Sequence, residues 1–386
     1  MNFLAKIFAL FKAKPETHAP QDGYSALTAA KFFRQIVTAD SRTSRTVMWN
    51  SDAPLENVKL EYRMVGEDAA HFADVAADFF RGNFIYSCAL ESLKPESLYQ
   101  YRLVVGEAAS DWRNLRTAGD GEFEMLVFSD SQSFDYKTWH RTAETAHRNY
   151  PDAEIFAVNG DFTDNGQDFL QWREWYAEAE NLLRDRILVP VMGNHECYDE
   201  NWGICQPSGY LKNFALPSND IRDFGGYFYA FDYGAAHFFV LNTQLNELSS
   251  FKASLDELQE YWFRWNAATN RPWRIVFMHK SVYNRSLSGF VEEAENYFMR
   301  LFDELEIDLV LTGHLHTYKN AGKFFAQKKS ERGTHYVLCG RSGDHKYNRE
   351  PESYLALKVR ADSILITCRA ANGKILDQFA LKKFNR

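Results

Sequence analysis

Five short apolar runs beyond residue 124 end alike. MLVFS leads into Asp130, IFAVNG into Asp161, LVPVMG into Asn194 and His195, IVFM into His279, and LVLTG into His314 and His316. Runs this hydrophobic read as strands buried on both faces. In an open α/β sheet the residues just past the strands' carboxyl ends share one crevice. Any fold that respects this pattern gathers two aspartates, an asparagine and three or more histidines in one cleft. Oxygen and nitrogen donors with no thiolate suit Mn, Fe or Zn, and Mg less well. Asp130, Asp161, Asn194, His279, His314 and His316 exceed what one four-coordinate ion with an open position can use, and match two ions sharing a carboxylate. Paired ions about 3.5–4 Å apart are a recurrent device for in-line displacement at phosphorus.

The remaining chain frames that cleft. From residue 24 to 118, short alternating segments such as RTVMWNS, VKLEYRMV, NFIYSCAL and YQYRLVVG are separated by turn formers, the rhythm of an antiparallel sandwich. AGDG at residues 118–121 breaks the rhythm, and from 119 to 386 strands alternate with helical stretches, YKTWHRTAETAHRNY and DFLQWREWYAEAENLLRD among them. The expected fold class is α/β: an all-β sandwich, then a layered domain with mixed sheets.

With 45% apolar and 25% charged residues the composition is that of an ordinary globular protein, and a net charge of −8 with no Lys/Arg cluster argues against nucleic-acid binding. Five cysteines without a CxxC pair give neither a disulfide framework nor a thiolate zinc site; a Cys197–Cys205 pair across one loop is the alternative to two thiols. Residues 1–23 form an extension in which Phe3, Leu4, Ile7, Phe8 and Phe11 fall on one helical face among lysines. That suits weak contact of residues 3–14 with a membrane surface, and equally a helix docked on the protein itself. The stretch lacks a small-x-small cleavage site and reads poorly as a secretory signal. The compartment stays open, with the cytoplasm favoured over the periplasm or a membrane surface. An HExxH peptidase is excluded because the residue four past His195 is Asp199, and a serine hydrolase because no GxSxG occurs.

The ordered series Asp130, GDFTD from Gly160, GNHE from Gly193, His279 in VFMHKSVYN, and GHLHTY from Gly313 resembles the calcineurin-like metallophosphoesterase superfamily. It is most similar to the purple acid phosphatase branch, which often carries a fibronectin type III-like domain ahead of the catalytic one; SLKPESLYQYRLVV resembles a strand corner of such a domain. The resemblance implies a four-layer α/β/β/α catalytic domain. It also implies two divalent ions (Mn, Fe or Zn), with Asp161 bridging, Asp130 and His316 on the first, and Asn194, His279 and His314 on the second. Catalysis would proceed by attack of a metal-bound hydroxide on the phosphorus of a small phosphomonoester or phosphodiester. His195 and Asp164 are the candidate catalytic side chains, and Asn194, His195 and Arg285 the candidate phosphate contacts.

Two departures matter. Superfamily members commonly open with DxH, and here the histidine's position is Gln132, which either offers an amide oxygen to the first ion or hydrogen-bonds Asp130. The purple branch instead places a tyrosine three residues after the bridging aspartate, where this chain has Asp164, so an iron-loaded protein is expected to be colourless. These losses keep a second reading in view, a non-catalytic binding protein on the same fold.

Overall fold

The computed structural model describes residues 27–133, 135–282, 292–344 and 350–383. The amphipathic segment 3–14, the expected domain start at Tyr24, and Arg285 lie outside the described residues. Among those described, no helix is long and apolar enough to cross a membrane.

Strands Phe123–Phe128, Ile155–Asn159 and Ile187–Val191 pair in parallel, each buried on both faces. Their side chains alternate. Met125, Val127, Ile155 and Ala157 enter a core shared with Phe238, Ile275, Phe277 and Leu309 of a second sheet. Leu126, Phe128, Phe156 and Val158 enter a core packed by helices that include Trp139, Trp172 and Trp175. The second sheet repeats the device: Val276 and Met278 turn to Phe263 and Phe302, on helices Leu255–Asn266 and Glu292–Glu304. Two sheets face to face, each covered outside by helices, make the α/β/β/α layering. A strand with apolar residues at every position needs two apolar layers, and this arrangement supplies both.

The sandwich is present, with a twist in its connectivity. Trp49, Tyr86, Leu60, Tyr101 and Leu103 fill its core between two sheets. The Tyr99 hydroxyl accepts the Lys94 N–H at 2.9 Å, bracing the corner before strand Leu98–Val105. Strand Ala30–Ile36, however, pairs in parallel with Ile187–Val191, Ile36 opposite Leu188. One ten-stranded sheet therefore runs from the C-terminal strands through these three parallel strands into the sandwich. Ile36, Met48, Phe80 and Ile85 pack into the helix-covered core, so that core extends from one region into the other.

One smaller difference from the sequence expectation has a local cause. The stretch from residue 168 is two helices, Phe169–Glu178 and Glu180–Asp185, because Ala179 leaves the helical region; the break turns both Leu182 and Leu183 inward. Cys197 and Cys205 are free thiols, as are the other three cysteines.

Candidate metal centre

Five strands end at a common edge: Phe123–Phe128, Ile155–Asn159 and Ile187–Val191 from one sheet, and Trp273–Met278 and Leu309–Thr312 from the other. Two groups of donors form there. Asp161, His279 and His314 place ligand atoms within 4.8 Å of one another, and so do Asp130, Asp161 and His316. Asp161 belongs to both groups. Four of these residues, Asp130, Asp161, His314 and His316, have φ between 50° and 70°, backbone that non-glycine residues rarely adopt and that clusters at functional sites. Each turns sharply off its strand, which lets its side chain face the cleft.

The donor atoms fit cations. His279 Nδ1 lies 2.8 Å from the Asn159 carbonyl, to which only an N–H can donate, so Nε2 points its lone pair into the site. There it meets Asp161 Oδ2 at 3.0 Å and Asn194 Oδ1 at 3.1 Å. Three acceptors converging on one point need a shared positive charge. With no ion bound, a proton on Nε2 is that charge: burial opposes a charged His279, yet the Asp161 carboxylate outweighs it and pushes the imidazole up to about 9. Burial and the nearby His279 push His314 down to about 4, leaving it in the neutral form that ligates metal. Burial would raise the carboxyls of Asp161 and Asp130, but His279 and His195 hold the first below its usual range and His316 the second. In the group of Asp130, Asp161 and His316, His316 Nε2 lies 3.4 Å from Asp130 Oδ1. Gln132, two residues after Asp130, is buried, and neither its amide oxygen nor its amide nitrogen has a partner among the described residues. An orphaned buried amide costs about 1–3 kcal/mol, a penalty that a cation beside the oxygen would remove.

Much of the precision comes from residues whose spacing gave no signal. Glu196 is fully buried, and its carboxylate accepts the backbone N–H groups of Asp161 (3.0 Å), Phe162 (2.9 Å) and Gly193 (2.7 Å). It ties the loop of Asp161 to the loop of Asn194. Burial and the Asp161 charge push it up to about 7 against the pull of those donors. The two loops touch so closely that a Cβ on Gly193 would lie 2.2 Å from Asp161 Oδ1, and one on Gly160 2.3 Å from the His279 ring. Trp175 donates its indole N–H to Ser131 Oγ at 2.9 Å, steadying the turn between Asp130 and Gln132. Arg341 is bound to the Gly343 carbonyl and to Glu352, clasping the loop whose Gly343 N–H reaches the Asp130 carbonyl at 3.0 Å. Lys280, next to His279, is paired with buried Glu247 at 2.7 Å.

Glu196→Ala leaves three buried N–H donors without an acceptor. Bonds to a charged group contribute about 1.5–3 kcal/mol each, partly offset by no longer burying the carboxylate. The expected loss is about 3–5 kcal/mol in a urea unfolding titration, together with weaker metal retention on dialysis. A loss under about 1 kcal/mol would remove Glu196 from this role.

His195 sits at the edge of the centre. Its Nδ1–H donates to the Asp164 carbonyl at 2.8 Å and its backbone N–H to Asp161 Oδ1 at 3.0 Å, leaving Nε2 3.9 Å from Asp161 Oδ2. Asp164 thus meets His195 through its main chain, and the Asp164 N–H is held by Gln171.

The family profile described as calcineurin-like phosphoesterase matches residues 123–318, just over half of the chain. Purple acid phosphatase 21 of Arabidopsis thaliana is 22% identical over 353 residues, 88% of this chain and 75% of that protein. Purple acid phosphatase 23 of the same plant is 25% identical over 181 residues, 45% of this chain and 38% of its own length. A phosphoenolpyruvate phosphatase of Allium cepa is 22% identical over 256 residues, 63% of this chain and 51% of that protein. Among solved structures, purple acid phosphatase PPD1 from yellow lupin (Lupinus luteus) seeds superposes with a TM-score of 0.77 at 16% identity, covering 92% of this chain and 75% of that one. The structure of PhoD gives 0.68 at 13% identity, covering 95% of this chain and 92% of that one. These likenesses share the fold, and with the profile match and the ordered ligand series they lead to one conclusion: the chain belongs to the calcineurin-like phosphoesterase family.

Proposed function

We propose that this protein is a metal-dependent phosphoric ester hydrolase working at a two-ion centre, with a small phosphomonoester or phosphodiester as substrate. The observation that carries the reading is the sharing of Asp161 between two donor groups. Asp161 would bridge; Asp130 and His316, with the Gln132 amide oxygen, would hold one ion, and Asn194, His279 and His314 the other. Ions bound there would supply activation of a water and neutralisation of the phosphoryl oxygens. The chain's own part is orientation and proton handling. The Asn159 carbonyl fixes the His279 tautomer. Glu196 fixes the two loops. His195, its Nδ1 proton committed to Asp164, presents Nε2 to the substrate side, where a protonated Nε2 can contact the phosphate and hand its proton to the departing alkoxide.

The test is metal analysis with turnover of an aryl monoester and an aryl diester phosphate under added Mn. Two ions per chain with hydrolysis of either ester supports the reading. Two ions bound with neither ester turned over favours the non-catalytic binding protein.

Gln132→His restores an imidazole where the chain departs from DxH. It is expected to tighten the first ion by no less than the roughly tenfold that altering a ligand's support typically brings, read as the midpoint of a chelator competition. An unchanged midpoint would assign the amide to a hydrogen bond beside Asp130.

A further inference from the structure

Immediately after His195 the chain makes a tight excursion that ends on an exposed indole. Cys205 N–H returns to the Cys197 carbonyl at 2.8 Å, and Tyr198 bridges Ile204. Within that closure Asp199 is the clamp. Its carboxylate accepts the N–H groups of Asn201 and Gly203, both at 2.8 Å; its carbonyl accepts from Trp202 N–H at 2.9 Å and from Asn165 Nδ2 at 2.8 Å. On the outer side, Glu200 pairs with Arg81 of the sandwich at 3.6 Å. The loop is thus held from both ends.

The indole held by this clamp is unusual. Trp202 has φ 63°, backbone that a bulky side chain seldom adopts, and the residue is 58% exposed. An indole held in strained backbone yet left mostly in water contributes little to the core, and strain of this kind persists at functional sites. Its neighbours give the reason. The Trp202 ring lies 5.8 Å from the His195 ring at 83°, the Tyr198 ring 5.7 Å from His195 at 82°, and the two aromatics 6.1 Å from each other. The Tyr198 hydroxyl also hydrogen-bonds the Asn194 side chain. The aromatic pair therefore flanks the histidine assigned to the leaving group, and it offers a π-face with no charge of its own.

We infer that Trp202, backed by Tyr198, is a stacking platform for a planar ring on the alcohol that leaves, so that the site prefers phosphomonoesters of ring-bearing alcohols: nucleosides or arylmethanols. This rests on the phosphoesterase reading above. A planar ring laid on indole gains from dispersion and quadrupole contact regardless of its substituents, so the platform selects a class of leaving group.

The experiment compares esters matched in leaving-group basicity that differ only in the ring: adenosine 5′-monophosphate against ribose 5-phosphate, and benzyl phosphate against butyl phosphate. In the metal-loaded wild-type protein, kcat/KM is expected to favour the ring-bearing member of at least one pair. Trp202→Ala and the bulkier but ring-free Trp202→Gln are expected to lower that ratio about tenfold, and Trp202→Phe to recover most of it. Competitive inhibition by benzylphosphonate relative to butylphosphonate should weaken in parallel, a binding readout independent of turnover. A response confined to the nucleotide pair identifies a nucleobase, and a response in both pairs any aryl ring. Ratios within twofold of wild type for both pairs in Ala and Gln variants overturn the platform while leaving the phosphoesterase reading standing. Absence of turnover of all four esters and of both aryl esters by the wild-type protein sinks that reading, and the platform with it.

Discussion

Asp161→Ala is expected to release both metal ions and to lower phosphate ester turnover about a thousandfold or more, the largest single effect in the protein. Its carboxylate belongs to both donor groups, so its removal takes a ligand from each ion at once. It also takes away the acceptor of the His195 N–H and the partner of His279 Nε2. Catalytic ions contribute several kcal/mol of transition-state stabilisation, and each 1.4 kcal/mol is a factor of ten in rate, which gives the thousandfold. Metal content by mass spectrometry should fall from two ions toward none. Retention of one tightly held ion with most of the activity would mean that Asp161 is not shared. Folding should survive better than in Glu196→Ala, because the three backbone N–H bonds to Glu196 remain and only the acceptor of the His195 N–H is lost.

His195→Gln should behave in the opposite way, keeping both ions and losing rate. The His195 backbone N–H still reaches Asp161 Oδ1, so the loop keeps its anchor. The variant lacks a proton carrier, a role that contributes about 10²–10⁴-fold. The loss should depend on the leaving group. An aryl ester that departs as a stabilised phenolate needs little protonation and should slow least, whereas an alkyl ester should slow most. Rates across a series of leaving-group pKa values measure this directly. A uniform loss across the series, with metal content intact, would make His195 a brace for the loop and not a proton donor.

The candidate ligands were legible because they sit at strand ends: an apolar run fixes a strand, and topology gathers the residues just past its carboxyl end. Asp130, Asp161, His279, His314 and His316 needed nothing more, and the structure brings them together. Glu196 was visible in GNHE, but its task depends on the N–H groups of a loop more than thirty residues away, which spacing does not encode. Trp202 carried no signal, since a tryptophan in a polar loop reads as packing until its backbone and its distance from His195 are known. In the fold, alternation announced both the sandwich and the layered domain. The joining of their sheets was hidden, because it rests on the pairing of Gln35 and Ile36 with Ile187 and Leu188, too few residues to mark a sequence. The orphaned amide of Gln132 is the reverse case: the sequence located the anomaly, and burial without a partner gave it a physical meaning.

The central claim is a pair of ions sharing Asp161. Anomalous diffraction from crystals grown with Mn tests it most directly. Two peaks about 3.5–4 Å apart, with the Asp161 carboxylate between them and His316 and His314 on opposite sides, are the predicted result. A single peak, or two peaks of which only one touches Asp161, would contradict it.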